Sequence, residues 1–200
     1  MTAQVPERII LDGRPRALYA APLYRLAKRC RLDLASPHCG STANYRGYTG
    51  TWEIRNHRLY LVHLCWLGRT LSEVPVSDEL RANLFRAAQC ADFPIHAHWF
   101  NGCVRISIGK RLIYSHQGWS HWFERERVIH FHEGCVVRDR EVDTRSILEW
   151  WLRRNPQESD RLRSPTPLGP LVWFDEDDED WTADWWPPDY SRNDMTRSAD

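Results

Sequence analysis

A chain of 200 residues with zero net charge, 42% hydrophobic and 27% charged, is long enough for one core plus an appendage and too apolar to be disordered throughout. Its mean hydropathy of −0.61 and the lack of any uncharged apolar run of about 18 residues exclude a helical membrane span. Met1 to Arg8 lack a basic segment followed by an apolar one, so no secretory leader is expected, and cytoplasmic residence with reduced cysteines is the expectation.

In chain order, Arg8–Leu11 and Arg16–Tyr19 flank Asp12-Gly13-Arg14-Pro15 and predict a hairpin. Pro22 opens a short amphipathic helix over 23–30, with Leu23, Leu26 and Ala27 on one face. Pro37, Gly40, Ser41 and Asn44 mark a loop. The strongest β signal runs from Thr49 to Leu67: Trp52 and Ile54 alternate with Glu53 and Arg55, Asn56-His57 supplies a turn, and Leu59 to Leu64 is apolar and aromatic. After Pro75 the period changes, and Leu80, Leu84, Phe85 and Ala88 predict a helix capped by Ser77 or Asp78. Runs at 93–100, 103–108, 112–115, 122–125, 128–132 and 135–142, separated by Gly102, Gly109, Gly118 and Glu133-Gly134, predict an antiparallel meander. A last helix is expected over 144–154. Its cap is Asp143 or a Ser146/Glu149 box; Ile147, Leu148, Trp151 and Leu152 face inward, and Pro156 ends it. The expected fold is α+β: an antiparallel sheet or half-open barrel with about three short helices over residues 1–168, followed by an acidic Trp-rich extension over 169–200.

The pattern Tyr45-Arg46-Gly47-Tyr48-Thr49-Gly50-Thr51-Trp52-Glu53-Ile54, then Leu59-Tyr60-Leu61, resembles a group of small uncharacterised bacterial proteins with an aromatic-Arg-Gly-Tyr…Trp-Glu-Ile…Leu-Tyr-Leu motif. A second block agrees in order: Trp99-Phe100-Asn101-Gly102, then Gly109-Lys110-Arg111-Leu112-Ile113-Tyr114-Ser115-His116-Gln117-Gly118, then Phe123-Glu124. The resemblance spans roughly residues 10–145 and implies a bacterial origin. It implies no activity, cofactor or catalytic residue, and the acidic tail departs from it.

Charge is divided unevenly. Residues 1–170 carry 25 Lys and Arg against 17 Asp and Glu, whereas residues 171–200 carry 2 against 10. Six consecutive acids, Asp175 to Asp180, repel one another, while Trp173, Phe174, Trp181, Trp185 and Trp186 around them are costly to leave in water. That combination suits docking on a basic, apolar groove, either of a partner protein or of the Arg-rich body of the same chain, with Trp anchors for affinity and carboxylates such as Asp177 and Asp178 for steering. A second candidate surface joins Arg46, Tyr48, His116, Trp119, His121 and Arg125, where rings stack a base or frame a partner's side chain and arginines, with Arg105, Arg111 and Arg127 nearby, meet a phosphate.

Two His-x-His pairs, His96/His98 and His130/His132, fall on predicted strands. A period of two puts both imidazoles of a pair on one face about 7 Å apart, an arrangement that presents nitrogens to Zn²⁺ or Fe²⁺. His116, Glu133 or Cys135 would be the third ligand. The cysteines form no Cys-x-x-Cys and no zinc-ribbon spacing; Cys39 beside His38 is a thiol candidate. Binding features outnumber catalytic ones, so the expectation is an interaction protein without a cofactor, an immunity, inhibitor or adaptor component of a bacterial conflict system whose partner is another protein. The rivals are a metal-dependent enzyme using the His-x-His pairs and a weak nucleic-acid binder using the arginines.

Overall fold

Residues 3–35, 41–68, 70–113, 119 and 121–154 are described by a computed structural model. Its hairpins begin with paired positive-φ residues, whose backbone twist matches that of the strands they join. Asp12 and Gly13, at φ 51° and 72°, connect β1 (Glu7–Leu11) to β2 (Arg14–Leu18). Asn56 and His57, at φ 49° and 60°, connect β3 (Tyr48–Arg55) to β4 (Arg58–Leu67). The Glu133-Gly134 turn does the same for the last two strands.

Between β2 and β3 lies α1 (Tyr24–Cys30), with Leu26 and Ala27 buried. Beyond β4 come β5 (Glu73–Pro75), α2 (Asp78–Ala87), β6 (Ile95–His96), β7 (Gly102–Ser107), β8 (Arg111–Ile113) and β9 (Trp122–Phe123). The chain then forms β10 (Arg125–His132), β11 (Cys135–Asp143) and α3 (Thr144–Arg154). Ser77 caps α2, its hydroxyl accepting from the Leu80 amide at 3.1 Å. Asp143 caps α3 by accepting from the Arg145 amide at 3.0 Å, so of the two expected caps the aspartate is used.

One sheet runs β11-β10-β7-β2-β1-β3-β4-β5, and β11 returns to β4 through Cys135 and Arg58. The Leu59 amide donates to the Gly134 carbonyl and the Val136 amide to the His57 carbonyl, each at 2.8 Å, so the sheet closes at that end only. This is the half-open barrel of the sequence reading. The remaining edge of β4 is shared along its length: β6 pairs with Tyr60 and Leu61, and β5 with Cys65 to Leu67. Ile9, Trp52, Leu61, Val104, Ile106 and Ile129 fill the interior, each fully buried.

Three expectations are corrected. The sheet is mixed, because β1 and β3 run parallel. A parallel pair needs a long crossover, and the segment containing α1 provides it. The run at 93–100 contributes only the two residues of β6; the His98 amide then turns back to the His96 carbonyl at 2.9 Å. The runs near 112 and 122 leave the meander and pair with each other as a two-stranded sheet, β8–β9.

Candidate functional site

β1 alternates, and Glu7 shares its inward face with Ile9; both are fully buried. The Trp52 indole Nε1 donates to Glu7 Oε2. The Arg46 Nε stands 3.8 Å from Glu7 Oε1, and the Tyr48 hydroxyl is the other polar neighbour of the carboxyl. Gly50 leaves the room for this: a Cβ there would lie 2.7 Å from Glu7 Oε2 and 2.8 Å from Trp52 Nε1. Burial pushes the Glu7 carboxyl up to about 7, against the opposing pull of Arg46 and Trp52, because desolvation disfavours the ionised form. Arg46 is held from three sides. It donates to the Val5 carbonyl at 2.8 Å, and its guanidinium lies 4.7 Å from the Trp119 ring centre and 5.6 Å from that of Tyr48, within cation–π range.

A second buried carboxylate is built differently. Glu126 on β10 receives both Nε (2.8 Å) and Nη2 (2.7 Å) of Arg105 on β7, and Nη2 also reaches the His121 carbonyl at 3.2 Å. Tyr19 and Phe123 pack around His121, with ring centres 6.1 and 6.5 Å away.

Arg46 and Tyr48 also form the wall of a groove on the helix side of the sheet. It has two hollows of about 770 and 610 Å³ that share Arg31, Leu32, Asp33 and Ala35. The larger lies between the end of α1 and α2, reaching Trp66, Asn83 and Arg86. The smaller takes in Tyr24, Lys28 and Tyr45, and Tyr45 is 67% exposed. Arg31, in the left-handed conformation at φ 52°, ends α1 and turns the chain across the join.

Of the six residues of the candidate surface, Arg46, Tyr48 and Trp119 come together. Tyr48 is buried rather than displayed, and His121 is buried beside Tyr19. Arg125 is elsewhere, paired with Glu141 at 2.7 Å, and His116 lies outside the described residues. So do Cys39 and the whole tail, including Trp173, Phe174, Asp177, Asp178, Trp181, Trp185 and Trp186. The arginines expected to meet phosphate are otherwise engaged: Arg105 with Glu126, and Arg127 with Asp139 at 2.9 and 2.7 Å.

The His96 and His98 rings stand 6.3 Å apart between centres, with His96 packed on Tyr60 at 5.5 Å and His98 on Trp99 at 5.2 Å; among the described residues no third donor joins either His-x-His pair. His130 is lowered from its usual value by burial and by the neighbouring Arg140 and Arg138. His132 is exposed at the strand end. The donor group that does converge is His63, Cys65 and Glu73.

Sequence reading missed Glu7 and Glu126. The available signal was a carboxylate in phase with inward-facing apolar residues, Glu7 with Ile9 and Glu126 with Val128. The partners that make such a position tolerable come from other strands.

The class defined by these features is a mixed, one-end-closed β-barrel with a groove on its helix side. No family model, curated protein or solved structure matches the chain.

Proposed function

We propose that this is an interaction protein that binds another protein through its helix-side groove, and that residues 171–186 of the same chain occupy this groove until a partner of like chemistry displaces them. The lining carries the reading. Lys28, Arg31, Arg46 and Arg86 outnumber Asp33 and Glu79 in the lining of the two hollows, with Tyr24, Tyr45 and Trp66 among them. A basic, aromatic groove suits an acidic, aromatic segment, and Trp173 to Trp186 supply that composition. By this reading the protein works as an adaptor, inhibitor or immunity component rather than as a catalyst.

Reach and energy are compatible. Residues 155–170 span up to about 50 Å when extended, at roughly 3.3 Å each, against a radius of gyration of about 15 Å for a domain of this size. Burying two Trp side chains of about 200 Å² each contributes about 10 kcal/mol gross at about 25 cal/mol per Å². Ordering the segment costs as much or more, so charge complementarity decides the outcome and salt weakens it.

Hydrogen exchange on the full-length protein tests this. Replacing Trp181, Trp185 and Trp186 by Ala together, or raising the salt, is expected to speed exchange in 31–35 and 80–87. Unchanged exchange in both segments under both treatments overturns the reading.

A further inference from the structure

We propose that His63, Cys65 and Glu73 form a zinc-binding site on the outer face of the sheet where β4 meets β5. Their donor atoms all lie within 4.8 Å of one another.

A bulge creates the arrangement. β4 faces inward with Leu59 and Leu61, then slips register against β3 between Thr51 and Trp52, where Val62 is the extra residue. After it the inward set is Leu64 and Trp66, while His63 and Cys65, two residues apart, share the opposite face. Without the extra residue, His63 and Cys65 would continue the inward set of Leu59 and Leu61. Bulges re-aim side chains in this way. Glu73 on β5 pairs directly with Leu67, placing it on the same face one step from Cys65.

One thiolate, one imidazole and one carboxylate are borderline-soft donors suited to Zn²⁺, and three protein ligands leave a fourth, open position for water or an exogenous ligand. Ligands of one tetrahedral zinc stand about 3.5 Å apart by its bond lengths, so the group must contract by about 1 Å at its widest. Exposed His63 and Glu73 can move that far on side-chain rotation, with buried Cys65 as the fixed point. Arg8, from β1, pairs with Glu73 Oε1. It serves as a positioning residue that orients the carboxylate while the other oxygen stays available, the outer-shell role common around metal-bound carboxylates.

Without metal the Cys65 thiol donates to the Thr49 carbonyl at 3.6 Å. Zinc is held by the thiolate, so binding replaces that thiol proton by the metal.

Titration of the reduced, metal-stripped, full-length protein with Co²⁺ tests the site. One equivalent is expected to give a thiolate-to-cobalt charge-transfer band and intense tetrahedral visible bands, both abolished by excess Zn²⁺. Cys65→Ser should remove the charge-transfer band, whereas Cys30→Ser, at an exposed thiol elsewhere, should keep it. His63→Ala, at an exposed position that the fold tolerates, should weaken binding more than about 100-fold, and Arg8→Ala by about 10-fold. No saturable band in the unaltered protein, the same band in Cys65→Ser, or unchanged affinity in folded His63→Ala overturns the assignment.

Discussion

Glu7 and Glu126 are both buried carboxylates in the same barrel, 0% and 1% exposed, and each has an arginine, yet the pairs are built differently. Glu126 receives two guanidinium hydrogen bonds at 2.7 and 2.8 Å. Glu7 has a guanidinium nitrogen at 3.8 Å and a neutral indole as donor. Arg46 cannot close on Glu7 because Trp119, Tyr48 and the Val5 carbonyl hold it. At equal burial the counter-ion geometry differs: a bidentate fork offsets the cost of burying Glu126, whereas the oblique approach of Arg46 leaves burial dominant at Glu7 and its carboxyl raised.

The largest way to break this contrast is Arg105→Ala. It strands a charge in the interior and is expected to cost about 3–5 kcal/mol in urea unfolding at neutral pH. A loss under about 1 kcal/mol would mean that water reaches Glu126 and that the pair is a surface bridge.

Next in size is the pH response of the Glu7 site. The carboxyl titrates near 4.5 when unfolded and about 7 when folded, so the folded state holds the extra proton between those values. Its contribution is fully present below about 4.5 and is lost as pH rises through 7, a change of about 3 kcal/mol. Glu7→Gln keeps an acceptor for Trp52 and removes the titration. The stability difference between variant and parent should therefore move in the variant's favour by about 3 kcal/mol from pH 4.5 to about pH 8. Parallel curves would show Glu7 ionised throughout.

Smallest is Trp119→Ala, which removes the ring beneath Arg46. It should cost about 1 kcal/mol, and equally at pH 5 and pH 8, because the guanidinium stays charged at both. A loss confined to the higher pH would tie Trp119 to the ionised state of Glu7 instead.

The hairpins at Asp12-Gly13 and Asn56-His57, the Ser77 cap and the amphipathic α2 were legible because each is written in a few adjacent residues. Among the described residues, Cys30, Cys65, Cys90, Cys103 and Cys135 form no disulfide, and no helix is long and apolar enough to cross a membrane. Arg46 and Tyr48 of the candidate surface lie in the wall of the groove, with Tyr48 buried. The His-x-His spacing does bring the His96 and His98 rings to 6.3 Å between centres even though the chain turns at His98, but among the described residues no third donor joins either pair. His63 and Cys65 carry the same spacing on a real strand, inside a run that reads as plain apolar core.

Local pattern alone therefore marked most of the elements and their turns, since propensity, periodicity and positive-φ chemistry act over a few residues, while it left the caps of α2 and α3 between two candidates each and overran β6. Which strands meet was a tertiary matter. The parallel β1–β3 pair, the closure of β11 on β4 and the division of the β4 edge among three partners depend on loop closure and burial summed over the whole chain. The same holds for the carboxylates. Nothing beside Glu7 or Glu126 in sequence distinguishes a group titrating near neutrality from one held in a bidentate fork, because Arg46 and Arg105 reach them from other strands and loops, and distance and angle in a dry interior set the electrostatics.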